Sequence, residues 1–371
     1  KTLNIAWDKN LSLEIATVEE FLGTRRDGQG NNKFTYHPEY KNDSKIPNLP
    51  VETRTQYVDR EAAGYPPLYY ILDLPFYYAG YEGNVGYRVM LGRIISIICH
   101  LGLVAVAYFI GKIIWEDKIK SLTLAAMVGF QPMVSFVAAG IHPDNLLNLI
   151  TTGMILVCFL ILKRGFKLRD LGVLGVLGIL GWETKPAIIF LFPAVGAILL
   201  GGLGGLGILG ISVAAFIFRW NIPYMPAGGV SDISLIDYLK FRLPKLAFEM
   251  WPWFWGVFKW LGVTLPAIVM KIITRAAIIC GIGLLLTRLK NKYVRASILF
   301  VFTYILYLFL WDWRLMQSMG YSQGLQGRYL FPVIVPIMVI LLGGLGRFGW
   351  LLIPGMILLN GFSLWFINSL Y

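Results

Sequence analysis

The sequence has few charged side chains and few cysteines for its length. Only 15% of its 371 residues are Asp, Glu, Lys or Arg, whereas soluble domains carry about 25%. The three cysteines, Cys99, Cys158 and Cys280, all lie in apolar stretches, where a buried thiol usually behaves as a small hydrophobe. This composition argues against an ordinary soluble domain, a disulfide framework and a metal cluster.

Apolar side chains dominate instead. Hydrophobic residues make up 57% of the chain, and the mean hydropathy is +0.64. A membrane span needs about 20 apolar residues, and the candidate stretches are 91–114, 119–139, 144–162, 168–182, 186–200, 203–219, 264–287, 294–311, 329–345 and 348–367. We therefore predict an all-α, polytopic membrane helix bundle with about ten spans, of which the two between 168 and 200 are short.

Charge divides the chain into two regions. Residues 1–65 contain 9 Lys/Arg and 10 Asp/Glu, and residues 66–371 contain the other 24 basic and 11 acidic residues. The first region is interpreted as a small polar lobe and the second as a transmembrane helical domain. Because the basic surplus lies among apolar segments, we expect it to set membrane topology and expect no nucleic-acid partner.

Three loops between predicted spans are basic. They contain Lys112, Lys118 and Lys120; Lys163, Arg164, Lys167 and Arg169; and Arg288, Lys290, Lys292 and Arg295. Lys and Arg close to span ends mark the cytoplasmic side. Alternation then predicts that residues 1–90, 140–143, 182–186, 220–263 and 312–328 lie outside the cytoplasm. We expect a multi-pass protein of the cell membrane whose active face is extracytoplasmic.

Three other features are interpreted from local pattern. Residues 231–250 show helical periodicity, which predicts an interfacial helix within the 220–263 loop; its apolar side would carry Leu235, Ile236, Leu239, Leu243 and Leu246, opposite Asp237, Lys240, Arg242 and Lys245. The glycine-rich run 201–210 indicates close helix packing. The chain starts at Lys1 without Met, signal peptide or leading span, from which we expect it to be trimmed or to lack part of the natural protein.

Five short motifs fall on the predicted outer side. They are YPPLYY at 65–70, HPDN at 142–145, ETKP at 183–186, WPWFWGVFKW at 251–260 and QGRYLFP at 326–332. Each also has a plain structural reading: an aromatic belt, a helix cap, a lysine or arginine that snorkels to the surface, or tryptophan anchoring. That all five motifs lie on the same predicted side of the membrane is stronger evidence than any single motif, and it favours a functional pocket.

The ionisable residues of these motifs have the chemistry of an anion site. Lys185 is a point charge suited to phosphate, and Arg328 offers bidentate phosphate recognition. An ionisable pair such as His142 and Asp144 is costly at the end of a span. These residues are therefore candidates for substrate binding.

Weaker signals lie near these motifs. Gly327 is expected to let a ligand approach its backbone. The Trp-rich segment 251–260 either anchors the protein at the interface or forms a wall for a sugar ring or an isoprenoid tail. Lys271 and Arg275, one helical turn apart, either line the same cavity or meet lipid headgroups.

Taken in order, the motifs resemble a known family. YPPLYY, PDN, TKP, FWGVFKW and GRYLFP, within roughly residues 60–340, resemble a group of bacterial predicted multi-pass membrane proteins that is similar to the GT-C superfamily of glycosyltransferases. The resemblance implies a multi-span enzyme that takes a sugar from a polyprenyl-phosphate carrier. It passes the sugar to a glycan, lipid or protein acceptor on the extracytoplasmic face.

The resemblance also implies an acidic motif, Asp-Glu followed shortly by His, in the first external loop. The nearest match is Asp8-Lys9-Asn10-Leu11-Ser12, which has Lys9 in place of Glu and Ser12 in place of His. On this basis Asp8 is assigned as the catalytic base that accepts the proton of the acceptor hydroxyl.

The implied site combines this base with a phosphate pocket and an acceptor position. Its substrate-binding residues are His142, Asp144, Lys185, Arg328, Tyr329 and Tyr65. Arg328 and Lys185 hold the phosphate, because fixed positive charge stabilises it as it departs. His142 and Asp144 hold the acceptor, or Mg²⁺ or Mn²⁺ if the reaction uses a divalent ion.

Two other functions remain open. In the first, the protein would be a non-catalytic GT-C-like subunit of a larger membrane complex, which keeps the scaffold but has lost the catalytic acid. Lys9 and Ser12, which replace the Glu and His of the acidic motif, favour this alternative. A transporter or flippase of lipid-linked sugar would also place charges at the membrane mouth, but it should show internal repeats and charges near the midplane. Membrane lipids are partners in every case.

Overall fold

A computed structural model describes residues 10–21, 49–59, 65–200, 231–258, 262–287, 291–320 and 325–370. Regular structure in these ranges is almost entirely helical, and several helices are long and apolar. The predicted all-α polytopic membrane fold is therefore confirmed.

The described ranges contain fourteen α-helices. In chain order they are α1 (Leu13–Phe21), α2 (Leu68–Ala79), α3 (Val85–Trp115), α4 (Lys118–Gly129), α5 (Pro132–Ala138), α6 (Asp144–Arg164), α7 (Leu168–Trp182), α8 (Phe192–Leu199), α9 (Leu235–Lys245), α10 (Trp251–Trp255), α11 (Ala267–Thr287), α12 (Lys292–Met319), α13 (Ile334–Leu345) and α14 (Leu352–Leu370). Short 3₁₀ segments cover Val51–Arg54, Pro186–Leu191, Gly327–Val333 and Gly346–Leu351, and a π-helical turn covers Leu246–Met250. Two antiparallel strand pairs join β1 (Asn10–Ser12) to β2 (Tyr57–Asp59) and β3 (Val257–Phe258) to β4 (Val263–Thr264).

Within the described ranges, the number of spans is lower than predicted. Six helical segments in the described ranges can cross a membrane, namely Val85–Trp115, Asp144–Arg164, Ala267–Leu286, Lys292–Met319, Gly327–Leu345 and Phe348–Leu370. Helices α4 and α5 add a seventh if they form one broken span, since they are bent by 61° where Pro132 interrupts helical hydrogen bonding. The candidates at 168–182 and 186–200 form helices too short to span, and 203–219 lies outside the described residues.

Contacts between loops place the three basic loops at one end of the bundle. The Lys163 Nζ atom lies 2.6 Å from a Glu116 carboxylate oxygen, and Lys292 Nζ donates to the Leu162 carbonyl at 2.5 Å. Helix α6 has 21 residues, a length of about 30 Å. Its first residue, Asp144, therefore lies at the opposite end from these loops.

Helices α2 and α3 pack in antiparallel directions and touch at three levels along their length. From one end to the other, the Tyr77 hydroxyl accepts from Arg88, the Asp73 carboxylate packs against Gly92, and the Tyr69 hydroxyl is hydrogen-bonded to Ser96. Burial raises the pKa of Asp73 to about 6. Beyond Tyr77, Glu14 of α1 reaches Arg88 at 2.5 Å, so the small N-terminal element is attached to α3.

The predicted segment 231–250 contains a helix, α9, but its buried side differs in part from the predicted one. Ile236 and Leu243 are 66% and 52% exposed, whereas Arg242 is only 4% exposed. Its Nε atom lies 3.1 Å from Asp312, which is fully buried in α12. A buried carboxylate requires a paired cation, so Arg242 packs inward. The predicted apolar side is right for Leu235, Leu239 and Leu246, which pack against the core, and wrong for Ile236, Leu243 and Arg242.

Close helix packing through glycine occurs between α11 and α13. A Cβ atom at Gly344 would lie 1.8 Å from the Cys280 carbonyl oxygen, and one at Gly283 would lie 2.1 Å from the Gly344 carbonyl oxygen. Both positions therefore require glycine. The 201–210 run, for which the same role is predicted, lies outside the described residues.

Candidate functional site

The centre of the candidate site is an ion pair between Asp144 and Lys185. Asp144 is the first residue of α6, and Lys185 precedes the 3₁₀ segment that begins at Pro186. Lys185 Nζ lies 2.7 Å from Asp144 Oδ1, and the two side chains are 14% and 8% exposed. Burial alone would lower the pKa of Lys185, but the Asp144 carboxylate outweighs burial and holds that pKa above its ordinary value. Lys185 therefore keeps its charge.

His142 lies beside this pair and is neutral at pH 7. The backbone N–H of Asp144 donates to His142 Nδ1 at 3.2 Å, so the neutral ring carries its proton on Nε2. Burial, together with the charges of Lys185 and Arg328, lowers the pKa of His142 although Asp144 opposes the change. The ring is thus a hydrogen-bond donor through Nε2, and its only lone pair is already engaged.

The loop that carries His142 is fixed by a hydrogen-bond chain. The backbone N–H of His142 donates to the Tyr69 hydroxyl at 3.1 Å, and that hydroxyl lies 2.6 Å from Ser96 Oγ. Ser96 Oγ donates to the Gly140 carbonyl at 2.6 Å. Asn145 caps the preceding turn, since its amide donates to the same carbonyl at 3.4 Å. The positions of His142 and Asp144 are therefore set by α2 and α3.

Aromatic rings bring a second cation into the site. The Lys185 Nζ atom lies 5.1 Å from the ring centre of Tyr65 and 6.0 Å from that of Tyr329. The Arg328 guanidinium carbon lies 5.8 Å from the Tyr329 ring centre. Lys185 and Arg328 therefore share one aromatic ring, and Arg328 also contributes to the electrostatic potential at His142.

The group carries one net positive charge, because Lys185 and Arg328 outnumber the single carboxylate of Asp144. Two buried polar atoms, Arg328 Nε and Gln326 Oε1, have no hydrogen-bond partner within the described ranges. A buried donor without a partner is costly. The arrangement can therefore accept an anion, which would satisfy the guanidinium.

Gly327 has a different role from the predicted one. A Cβ atom at this position would lie 2.0 Å from the backbone nitrogen of Phe254. Gly327 thus packs against the Trp-rich segment and does not present its backbone to a ligand. The contact attaches α10 to the segment that carries Arg328.

An apolar cavity of about 170 Å³ adjoins this contact. Its lining consists of Leu246, Met250, Trp251, Phe254, Leu330 and Ile337. Leu330 is two residues from Arg328 and in the same 3₁₀ segment. One 3₁₀ segment therefore contributes to both the cationic group and the cavity.

The structure brings together the predicted residues Tyr65, His142, Asp144, Lys185, Arg328 and Tyr329. We call these six residues the polar cluster. Asp8 lies outside the described residues. Lys271 and Arg275 lie on α11, where both are exposed.

His142 and Asp144 do not fit a divalent metal ion. His142 Nδ1 accepts a backbone hydrogen bond and one Asp144 oxygen is bound to Lys185. Among the described residues, no group of three His, Cys, Asp or Glu side chains could hold a metal ion.

Sequence reasoning missed two residues beside the polar cluster. Gln326 was in a recognised motif but received no role. Tyr304 of α12 is buried and interacts electrostatically with Asp144. The sequence feature that could have pointed to Tyr304 is its spacing from Tyr307, since the two tyrosines lie one helical turn apart within an apolar span.

The chain matches a protein family model over most of its length. The family model described as predicted membrane protein (DUF2142) matches residues 32–337, a range that contains all six residues of the polar cluster. A search of curated proteins and a search of solved structures found no match.

Proposed function

The chain belongs to the family described as predicted membrane protein (DUF2142), and from this premise we propose that it is a glycosyltransferase of the GT-C type. It would move a sugar from a polyprenyl-phosphate carrier to a glycan, lipid or protein acceptor. The polar cluster would be its substrate site, on the extracytoplasmic face of the cell membrane.

One observation carries the proposal: the polar cluster is cationic and lies at the end of the bundle opposite the basic loops. Arg328 Nε is buried without a partner among the described residues, and Lys185 remains charged beside Asp144. The basic loops favour the cytoplasmic side, so the cluster would face outward. The adjoining apolar cavity would take the part of the isoprenoid chain next to the phosphate.

In the proposed step, the acceptor hydroxyl oxygen forms a bond to the anomeric carbon of the sugar. The bond from that carbon to the carrier phosphate oxygen breaks, and the phosphate leaves with the electron pair. Arg328 and Lys185 stabilise the charge that develops on it. The hydroxyl proton passes to a carboxylate, for which Asp8 remains the proposed base.

His142 would orient the acceptor and would not remove its proton. Its Nδ1 lone pair already accepts the Asp144 backbone N–H, which leaves only the Nε2 donor. The hydrogen-bond chain through Tyr69 and Ser96 would hold this donor in place. Preorganised donors of this kind lower the barrier because no reorganisation is needed during the reaction.

The Arg328→Ala variant tests the proposal. We expect sugar transfer from a polyprenyl-phosphate sugar in isolated membranes to fall about 100-fold or more, because phosphate loses its bidentate partner. Arg295→Ala is the matched control, since Arg295 is exposed at the opposite end of the bundle. Circular dichroism and thermal unfolding would establish that both variants fold.

Full transfer activity in folded Arg328→Ala would remove the phosphate assignment. If the unmodified protein binds the carrier lipid but transfers no sugar to any acceptor class, the non-catalytic subunit becomes the better description. Loss of activity in Arg295→Ala as well would mean that the effect does not arise at the cluster.

A further inference from the structure

Helix α11 presents an uncovered apolar stripe. Only 17% of its most hydrophobic window is buried. Ile268, Ile272, Ile279 and Ile282 are 54% to 66% exposed and follow one another at helical spacing. In a membrane-spanning helix, such a face meets lipid acyl chains.

Two cations interrupt this stripe. Lys271 and Arg275 are both exposed and lie on the same side of α11 as Ile268 and Ile272, since residues three and four apart share a helix face. All eleven acidic residues after residue 65 belong to the described ranges. None of them forms an ion pair with either cation. The pair therefore needs an anion from outside this part of the chain.

The topology rule for basic loops does not account for the pair. The basic loop that holds Lys290 and Lys292 follows the last residue of α11, whereas Lys271 and Arg275 lie near its first residue, Ala267. Their Cα atoms are about 6 and 12 Å along the helix from Ala267. Side chains on a helix tilt toward its N-terminus, so both cations reach toward the membrane surface on the side of the polar cluster.

A tryptophan lies at the same depth in the membrane as Lys271 and Arg275. The Trp251 indole N–H donates to Thr274 Oγ at 2.9 Å, and Thr274 directly precedes Arg275. Tryptophan is enriched at the level of lipid headgroups. The lipid phosphates of that leaflet are therefore the anions within reach of the pair.

We propose that Lys271 and Arg275 form a binding site for the phosphate of an anionic glycerophospholipid, whose acyl chains lie along the stripe on α11. Two cations one helical turn apart can contact one phosphate, Arg275 through its planar fork and Lys271 as a point charge. The site is separate from the polar cluster, and its occupant is a bilayer lipid and not the sugar carrier. The inference holds whether or not the protein transfers sugar.

Native mass spectrometry of the purified full chain in detergent tests this site, with phosphatidylglycerol and phosphatidylcholine as the added lipids. The unmodified protein should retain phosphatidylglycerol in preference to phosphatidylcholine. The double variant Lys271→Gln/Arg275→Gln should bind phosphatidylglycerol about 30-fold more weakly, since each cation near the membrane surface contributes about a factor of five. The control Lys112→Gln/Lys118→Gln removes two exposed charges at the other end of the bundle and should not alter binding.

A charge-conserving variant, Lys271→Arg/Arg275→Lys, should bind phosphatidylglycerol within a few-fold of the unmodified protein. Equal binding of phosphatidylglycerol by the unmodified protein and the double glutamine variant would overturn the proposal. So would equal binding of the two lipids by the unmodified protein. Displacement of phosphatidylglycerol from this site by equimolar polyprenyl phosphate would overturn the choice of occupant.

Discussion

Asp144→Ala is expected to destabilise the folded protein by about 3–5 kcal/mol, because removing one partner of a buried ion pair leaves the other as an uncompensated charge. Lys185 is only 14% exposed and its Nζ atom contacts Asp144 at 2.7 Å. A reversible unfolding measurement in detergent would give the change. The exposed pair Glu116 and Lys163 provides the control, since Glu116→Ala should have little effect.

The double variant Asp144→Ala/Lys185→Met should recover most of this loss, because it removes both charges and fills the space with an apolar chain of similar length. The free energies of unfolding of the double variant and of the single variants Asp144→Ala and Lys185→Met together give the coupling energy of the pair. An Asp144→Ala protein as stable as the unmodified one would mean that the pair is not buried as described. The recovered double variant should still bind lipid phosphate more weakly than the unmodified protein, because Lys185 no longer contributes a charge to the phosphate. This result would separate stability from function.

Gly344→Ala is expected to destabilise the protein by at least about 3 kcal/mol, because the new methyl group meets backbone and not a movable side chain. Its Cβ would lie 1.8 Å from the Cys280 carbonyl oxygen, so α11 and α13 must move apart. Gly361→Ala on α14 is a matched control, since nothing lies within 4 Å of its Cβ position. Thermal unfolding of both variants in the same detergent would compare them, and equal midpoints would contradict the close approach of α11 and α13.

Hydropathy was sufficient to predict the fold class and most of the long spans, because a lipid environment requires long apolar helices. Within the described ranges, hydropathy overestimated the number of spans, because it does not show where a proline ends a helix. Pro132 breaks α4 from α5, and Pro186 begins a short 3₁₀ segment instead of a span. Both prolines were visible in the sequence, but the apolar runs continue across them.

Side-chain pairs were harder to predict from the sequence than the spans, because they depend on tertiary structure. Asp144 and Lys185 are 41 residues apart. The predicted topology placed both on the same side of the membrane, but it did not predict that they form an ion pair. Arg242 was placed on the polar side of α9, yet it turns inward to Asp312, which is 70 residues away. A single helical pattern cannot reveal a partner on another helix.

The most direct test of the account is the affinity of the purified protein for polyprenyl phosphate without a sugar, followed by tryptophan fluorescence because Trp251 lines the adjoining cavity. We predict saturable binding that weakens about 10-fold to 100-fold in Arg328→Ala, as expected when a charge-assisted contact to phosphate is lost. Arg295→Ala should bind like the unmodified protein. Equal affinity of the unmodified protein and folded Arg328→Ala would contradict the claim that the polar cluster is a lipid-phosphate site.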